Sequence, residues 1–294
     1  MTHYAKIGVI GGTGLYDIEG LTDIREHTLD TPFGKPSDII VTGNLNGVGV
    51  AFLPRHGRGH RILPSEIPSR ANIYALKSLG VEHIIAINSV GSFKKEVKPG
   101  HLLIPDQLID RTSQRTNTFF GKGIVAHIAF SQPFCPNLRK LLFECAKEAG
   151  ANVHNGGTYV VMEGPAFSTQ AESRLHKSWG ADVIGMTALP EAKLAREAEI
   201  CYAIIACATD YDAWHEEEEA VTVDKVIATL RGNINLSKEI IKLAIGRISS
   251  TRNCECSTAL SHAIMTSPEA VPNTRKHELA LIIDKYMPAV SEND

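Results

Sequence analysis

Ile7-Gly8-Val9-Ile10-Gly11-Gly12-Thr13-Gly14-Leu15 sets an apolar run directly against a glycine-rich turn. The run from Lys6 to Ile10 is short and β-branched, so it reads as a strand. Missing side chains after it let backbone N–H groups approach an anion, and Thr13 adds a hydroxyl. Similar runs recur at Ile39 to Thr42, Val48 to Leu53, His83 to Asn88, Tyr159 to Met162, Val183 to Met186 and Tyr202 to Thr209. Several are almost wholly apolar, as strands covered on both faces are. Gly43 to Gly47 reads as a hairpin turn. Helical patterns lie between the strands. Pro136 to Gly150 places Leu138, Leu141, Leu142, Cys145 and Ala149 on one stripe, with Gly150 as the stop. Thr169 with Glu172 fits a capping box. Val223, Val226, Ile227 and Leu230 mark a further stripe behind the acidic run Glu216 to Glu219. The alternation predicts an α/β fold: one domain over residues 1–294 around a mixed sheet, with a core at about 6–250 and a polar tail from about 251 whose last residues are mobile.

The totals narrow the function class. A formal net charge of -3 in 294 residues supplies no basic field for nucleic acid. No stretch approaches the roughly 20 apolar residues of a membrane span. The first residues lack the apolar run of a secretory signal, so the expected location is cytoplasmic. Six cysteines are too sparse for a disulfide scaffold. Cys135, Cys145, Cys201 and Cys207 are expected to be buried thiols. Cys254 and Cys256 form a Cys-x-Cys in a polar stretch, with no second cluster nearby to complete a zinc site; a disulfide between them stays open. No metal site is expected.

Five segments carry chemistry. The glycine turn fails as a dinucleotide fingerprint, because the pattern from Gly12 needs glycine where Asp17 stands. No Gly-Lys-Ser/Thr follows, which excludes a Walker loop. Pro54-Arg55-His56-Gly57-Arg58-Gly59-His60 follows a buried-looking strand; Arg55 can grip an oxyanion with its rigid fork, with His56 as a further donor. Asn88-Ser89-Val90-Gly91-Ser92 and Gly185-Met186-Thr187 place short polar side chains where strands end, the end of an α/β sheet that ligands prefer. Together these suit a small, freely diffusing anion such as phosphate. Glu163-Gly164-Pro165-Ala166-Phe167-Ser168 offers an aromatic beside a helix start, able to stack on a planar base. Thr209-Asp210-Tyr211-Asp212 puts two carboxylates at the end of an apolar strand, where they need donors. Adenine supplies an exocyclic amine and a protonatable ring nitrogen. Taken singly, each segment also has a plain reading: a tight turn, a solvated loop, core filling or a surface turn.

In order and spacing these segments resemble the trimeric purine nucleoside phosphorylases, most closely the branch that cleaves methylthioadenosine. The likeness runs from about Lys6 to about Asn233. It includes GGTGL at 11–15, TPFGKPSD at 31–38, PRHGRGH at 54–60, EGPAFS at 163–168, WGADVIGMT at 179–187, PEAKLAREA at 190–198 and ATDYD at 208–212. The resemblance implies a single domain with a twisted mixed central β-sheet flanked by helices. It implies a homotrimer or a dimer of trimers, with sites near subunit boundaries. It carries phosphate contacts onto Thr13, Arg55, His56, Asn88, Ser89 and Thr187, although Asn88-Ser89 departs from a Thr-Ala pair of some relatives. Met186 matches the residue under the ribose, and Phe167 the aromatic that stacks on the base. His127 matches a residue reaching a neighbouring subunit's 5'-substituent pocket. Val223, Val226 and Ile227 match apolar positions around that substituent.

The branch that cleaves inosine and guanosine carries Glu after the matching Phe and Asn where this chain has Asp210. Here those positions are Ser168 and Asp210, with Asp212 nearby. Two aspartates repel a 6-oxopurine oxygen and accept from a 6-amino group; a mismatched buried polar group costs about 1–3 kcal/mol. The expected reaction is phosphorolysis of S-methyl-5'-thioadenosine to adenine and 5-methylthioribose 1-phosphate. Asp212 or Asp210 would be the catalytic acid. Inorganic phosphate would be a co-substrate, with no cofactor and no nucleic-acid or membrane partner. A broader or 6-oxopurine phosphorylase and a non-catalytic nucleoside binder are the alternatives.

Overall fold

A computed structural model describes residues 4–12, 18–215, 223–249 and 251–287, with only the backbone described at 223–231. Among these residues eleven strands form a single sheet. In chain order they are β1 (Ile7–Gly11), β2 (Thr22–His27), β3 (Ile40–Leu45), β4 (Val48–Pro54), β5 (His83–Ser92), β6 (Leu102–Ile104), β7 (Gln107–Arg111), β8 (Val153–Asn155), β9 (Thr158–Met162), β10 (Val183–Gly185) and β11 (Cys201–Tyr211). The helices are α1 (Ser69–Ser78), α2 (Pro136–Glu148), α3 (Gln170–Ser178), α4 (Glu191–Glu197), α5 (Val223–Ile245) and α6 (Asn273–Ile283).

The sheet is mixed and its hub is β5. It pairs in parallel with β1 over His83–Ala86 and with β11 along its whole length, while Gly91 and Ser92 pair antiparallel with β10 on the side opposite β11. The order β2-β3-β4-β1-β5-β10-β9-β7 leaves β11 joining β5 to β6 and β8. Period-two alternation splits the core between the faces. Ile84, Ala86, Ile204 and Ala206 pack with Leu76 of α1, Leu194 of α4 and Leu279 of α6. Ile85, Ile87, Ala203 and Ile205 pack with Leu142 of α2 and Ile240 of α5. The β3–β4 hairpin turns through Asn46 and Gly47 at φ 55° and 83°, the pair that suits two left-handed residues. The capping box forms as expected: Thr169 Oγ1 accepts from Glu172 N, and Thr169 N donates to Glu172 Oε2.

Three expectations need correction. Asn88 to Ser92 does not form a loop beyond its strand; it is the second half of β5. Asp210 likewise lies within β11, not past its end. The stretch from 251 is no loose tail, since Leu260, Leu279 and Ile283 are buried in the main core. Its sequence hid this because α6 spreads its apolar residues around the helix without a continuous stripe. The expected mobile last residues, 288–294, lie outside the described set.

Candidate active site

The first group is built where β4, β5 and α4 meet. Arg55 follows β4 and is buried. Its Nε donates to Glu191 Oε1 at 2.5 Å and its Nη2 to Glu191 Oε2 at 3.0 Å. Nη1 donates to Ile87 O at 3.0 Å, and Nη2 also reaches Asn88 Oδ1 at 3.2 Å. Four of the five guanidinium N–H groups are thus engaged by the protein. The oxyanion that this fork grips is the carboxylate of Glu191, not only an external ligand as the sequence suggested. Tyr202 donates its hydroxyl to Glu191 Oε2 at 3.0 Å. Arg55 needs an acceptor, which turns the Asn88 amide so that Nδ2 points to Thr187 Oγ1 at 2.8 Å. One chain of polar contacts therefore joins Arg55, Asn88 and Thr187. Ser89 is half-buried beside it on β5.

Tyr159 adds its hydroxyl to Asn88 Nδ2 at 3.4 Å, and it sits where a side chain on Gly185 would have to go. Gly185→Ala is therefore expected to force Tyr159 and Asn88 apart and to lower stability by about 1–3 kcal/mol, the usual cost of overpacking. Denaturant titration checks this, with Tyr159→Phe/Gly185→Ala as a partial rescue.

His56 corrects a second expectation. Its Nδ1 lies 2.8 Å from Ile62 O. A carbonyl only accepts, so Nδ1 carries the hydrogen and the neutral ring leaves Nε2 as an acceptor. Burial, with the Arg55 charge adding to it, pushes the imidazole down to about 4. At neutral pH the His56 ring is therefore neutral, and its Nε2 can accept a hydrogen bond but not donate one. Thr13, assigned to the same group from the sequence, lies outside the described residues.

The second group lies at the far end of β5 and β11. The pairing register shifts between Ala208 and Asp210, a bulge that re-aims the side chains. Asp210 Oδ1 accepts from Thr209 Oγ1 at 2.7 Å. Asp212 is 5% exposed, and its N–H donates to Ser92 O at 3.0 Å. Gly91 makes room for both acids: a Cβ there would stand 3.1 Å from Asp210 Oδ2 and 3.3 Å from Asp212 Cβ. Asp212 Oδ2 is buried without a hydrogen-bond partner among the described residues. Burial raises the Asp212 pKa, against the lowering pull of the Ser173 and Ser168 hydroxyls.

The model of the Phosphorylase superfamily matches residues 6–245. S-methyl-5'-thioadenosine phosphorylase of Geobacter sulfurreducens is 58% identical over 282 residues, 96% of this chain and 99% of its own. The enzyme of that name from Koribacter versatilis is 52% identical over 282 residues, 96% and 97% of the two chains. The chain belongs to the phosphorylase superfamily. Solved phosphorylases agree in fold. A methylthioadenosine phosphorylase from an antarctic soil metagenomic library superposes with a TM-score of 0.92 at 48% identity, covering 96% of this chain and 99% of that one. A mutant adenosine/methylthioadenosine phosphorylase of Schistosoma mansoni, in complex with adenine, gives 0.81 at 36% identity over 95% and 98%.

In this phosphorylase a residue that the sequence reading missed joins two of the site's segments. Arg115, its side chain 3% exposed, donates Nε to Glu163 Oε1 at 2.7 Å. Its Nη1 reaches Met186 O and Leu189 O, and its Nη2 reaches Met162 O and Glu163 O. It ties the segment carrying Phe167 and Ser168 to the segment carrying Met186 and Thr187. Nothing in the polar run around Arg115 distinguishes it from a solvated loop. Glu191, Tyr159 and Tyr202 were missed for a related reason: each touches its partner only across the fold. Phe167 is 48% exposed, Ser168 and Met186 are half-buried, and Met186 packs where a Gly164 side chain would stand.

His127 stands apart from both groups. It is exposed, and its N–H donates to Ala263 O at 2.8 Å beside the Ala126–Ile264 bridge. Its side chain makes no hydrogen bond or ion pair to either group among the described residues. Val223, Val226 and Ile227 lie on the first turns of α5, and their side chains are outside the described set.

Proposed function

We propose that this phosphorylase cleaves S-methyl-5'-thioadenosine with inorganic phosphate, giving adenine and 5-methylthioribose 1-phosphate. The observation that carries this reading is the Asp210–Asp212 pair set against Gly91, in a chain whose relatives are named for that reaction. A phosphate oxygen forms a bond to the anomeric carbon as that carbon's bond to adenine N9 breaks. The transition state is oxocarbenium-like, so phosphate serves as both nucleophile and counter-charge. No protein nucleophile and no cofactor is needed.

The Arg55–Asn88–Thr187 chain directs a hydroxyl donor at the phosphate, with Ser89 and Thr13 as further donors. His56 Nε2 accepts from the P–OH of hydrogen phosphate, which leaves unprotonated oxygens for attack. Correct placement contributes on the order of 7–11 kcal/mol. Phe167 stacks on the base, Met186 lies under the ribose, and Ser168 borders the ring. Asp212 gives its proton to N7 as the purine leaves, while Asp210 accepts from the 6-amino group. The 5'-methylthio group would sit against Val223, Val226 and Ile227 and against His127 of a neighbouring subunit in a homotrimer or a dimer of trimers. Such an apolar pocket discriminates against a hydroxyl only modestly, by roughly 100-fold, so slow turnover of adenosine is expected. A cytoplasmic location suits this role.

Chromatography of methylthioadenosine incubated with the protein tests the reading. Adenine should be released only when phosphate is present, and inosine should be cleaved far more slowly. Release without phosphate, or preference for inosine, overturns it. Light scattering of the purified protein tests the trimer.

A further inference from the structure

Four of the six cysteines converge at one place, although they stand far apart in the chain. Cys135 precedes α2, Cys201 opens β11, and Cys254 and Cys256 bracket the start of the short turn after α5. Their sulfurs all lie within 4.8 Å of one another. Cys254 Sγ stands 3.8 Å from Cys135 Sγ and 3.4 Å from Cys201 Sγ. All four are unbridged. The Cys-x-Cys therefore does have the second pair that its neighbourhood in sequence lacked, because the fold brings Cys135 and Cys201 to it. We propose that Cys135, Cys201, Cys254 and Cys256 form a structural zinc site with four thiolate ligands.

The distances suit the metal. A tetrahedron with Zn–S bonds of about 2.3 Å has sulfur–sulfur edges of about 3.8 Å. Four sulfurs with no oxygen or nitrogen ligand select a soft cation, and a closed set of four is the structural kind. Cys135, Cys201 and Cys256 are no more than 2% exposed, which shields such a centre from solvent. Its surroundings also suit the net charge of -2 that four thiolates and Zn²⁺ carry. Cys135 is the N-cap of α2, at the positive end of that helix's dipole, and the Arg196 charge acts on Cys256. Cys135, Cys201 and Cys254 also line a cavity of about 230 Å³ whose other walls include Arg252 and Asn253, which gives the ion a route of entry. His83, on the same cavity wall, has a buried Nδ1 without a hydrogen-bond partner among the described residues.

The site would pin the C-terminal segment to the starts of α2 and β11, which Cys135 N–H already joins by donating to Tyr202 O at 2.9 Å. The C-terminal segment leads through Leu260 to Ala263, which holds the His127 loop. The proposal does not depend on the catalytic reading.

Elemental analysis of untagged protein, purified in reducing buffer without chelator, tests it. About one zinc per chain is expected, with the four thiols unreactive until a mercurial releases the metal. Cys254→Ser and Cys256→Ala should each lower bound zinc at least tenfold. If those variants do not fold, cobalt exchanged into the wild-type protein should show the intense visible bands of a tetrahedral thiolate site. Metal-free protein with reactive or disulfide-bonded thiols overturns the proposal. So does stoichiometric iron, or zinc that the substitutions leave in place.

Discussion

Asp212→Asn is expected to lower turnover of methylthioadenosine by roughly 100- to 10,000-fold, the range for loss of a general acid. The KM for phosphate should change little, because the phosphate group is built on Arg55, Asn88, Ser89 and Thr187, none of which bonds to Asp212. Asn keeps the shape and can still accept a hydrogen bond, so the loss reports the proton and not packing. The pH profile is the second readout. Burial raises the Asp212 pKa, so the wild-type enzyme should lose turnover as pH rises through that value. In the variant this limb should be absent. The same shift has a sign for stability. The folded state holds this proton more tightly than the unfolded chain. Its contribution is therefore complete below the unfolded carboxyl pKa and fades as pH rises through the folded one. A steady-state profile with the basic limb intact in Asp212→Asn would reassign the acid, with Asp210→Asn as the next variant.

Glu191→Ala should be the most damaging change outside the base site. Glu191 is 1% exposed and is the bidentate partner of Arg55. Removing it leaves a buried guanidinium uncompensated, a loss of about 3–5 kcal/mol. The same lesion should raise the KM for phosphate, since Arg55 orients Asn88 and, through it, Thr187. The double variant Arg55→Met/Glu191→Leu separates the two effects. It restores a neutral, filled interior and should recover much of the stability while phosphate affinity stays low. Equal instability of the single and double variants in urea would show that the pair's charge is not what matters.

The fold class was legible in the sequence because β-branched runs such as Ile7–Ile10 and Tyr202–Thr209 are unlike the striped helix at Pro136. What period and composition could not reveal was where a strand stops. Asn88 and Asp210 look like loop residues, yet β5 and β11 keep pairing through them. The short strands β6 and β8, of three residues each, carry too few positions for any pattern. Charged α4 was equally hidden, because Glu191, Arg196 and Glu197 are buried by partners far along the chain. At the candidate site the aspartates and Arg55 stood out as residue types. The acceptor role of His56 did not, because it depends on one carbonyl, Ile62 O, that only the folded loop brings near. The buttress Arg115 was invisible for the same reason.

β11 runs from Cys201 to Tyr211, and at about 3.3 Å per residue it spans about 33 Å. The four-sulfur cluster stands at one extremity, and the acids proposed to meet the purine stand at the other. A coloured ion exchanged into the cluster would thus report on folding of the molecule while remaining remote from the chemical step. The two readouts could be followed side by side in one cuvette.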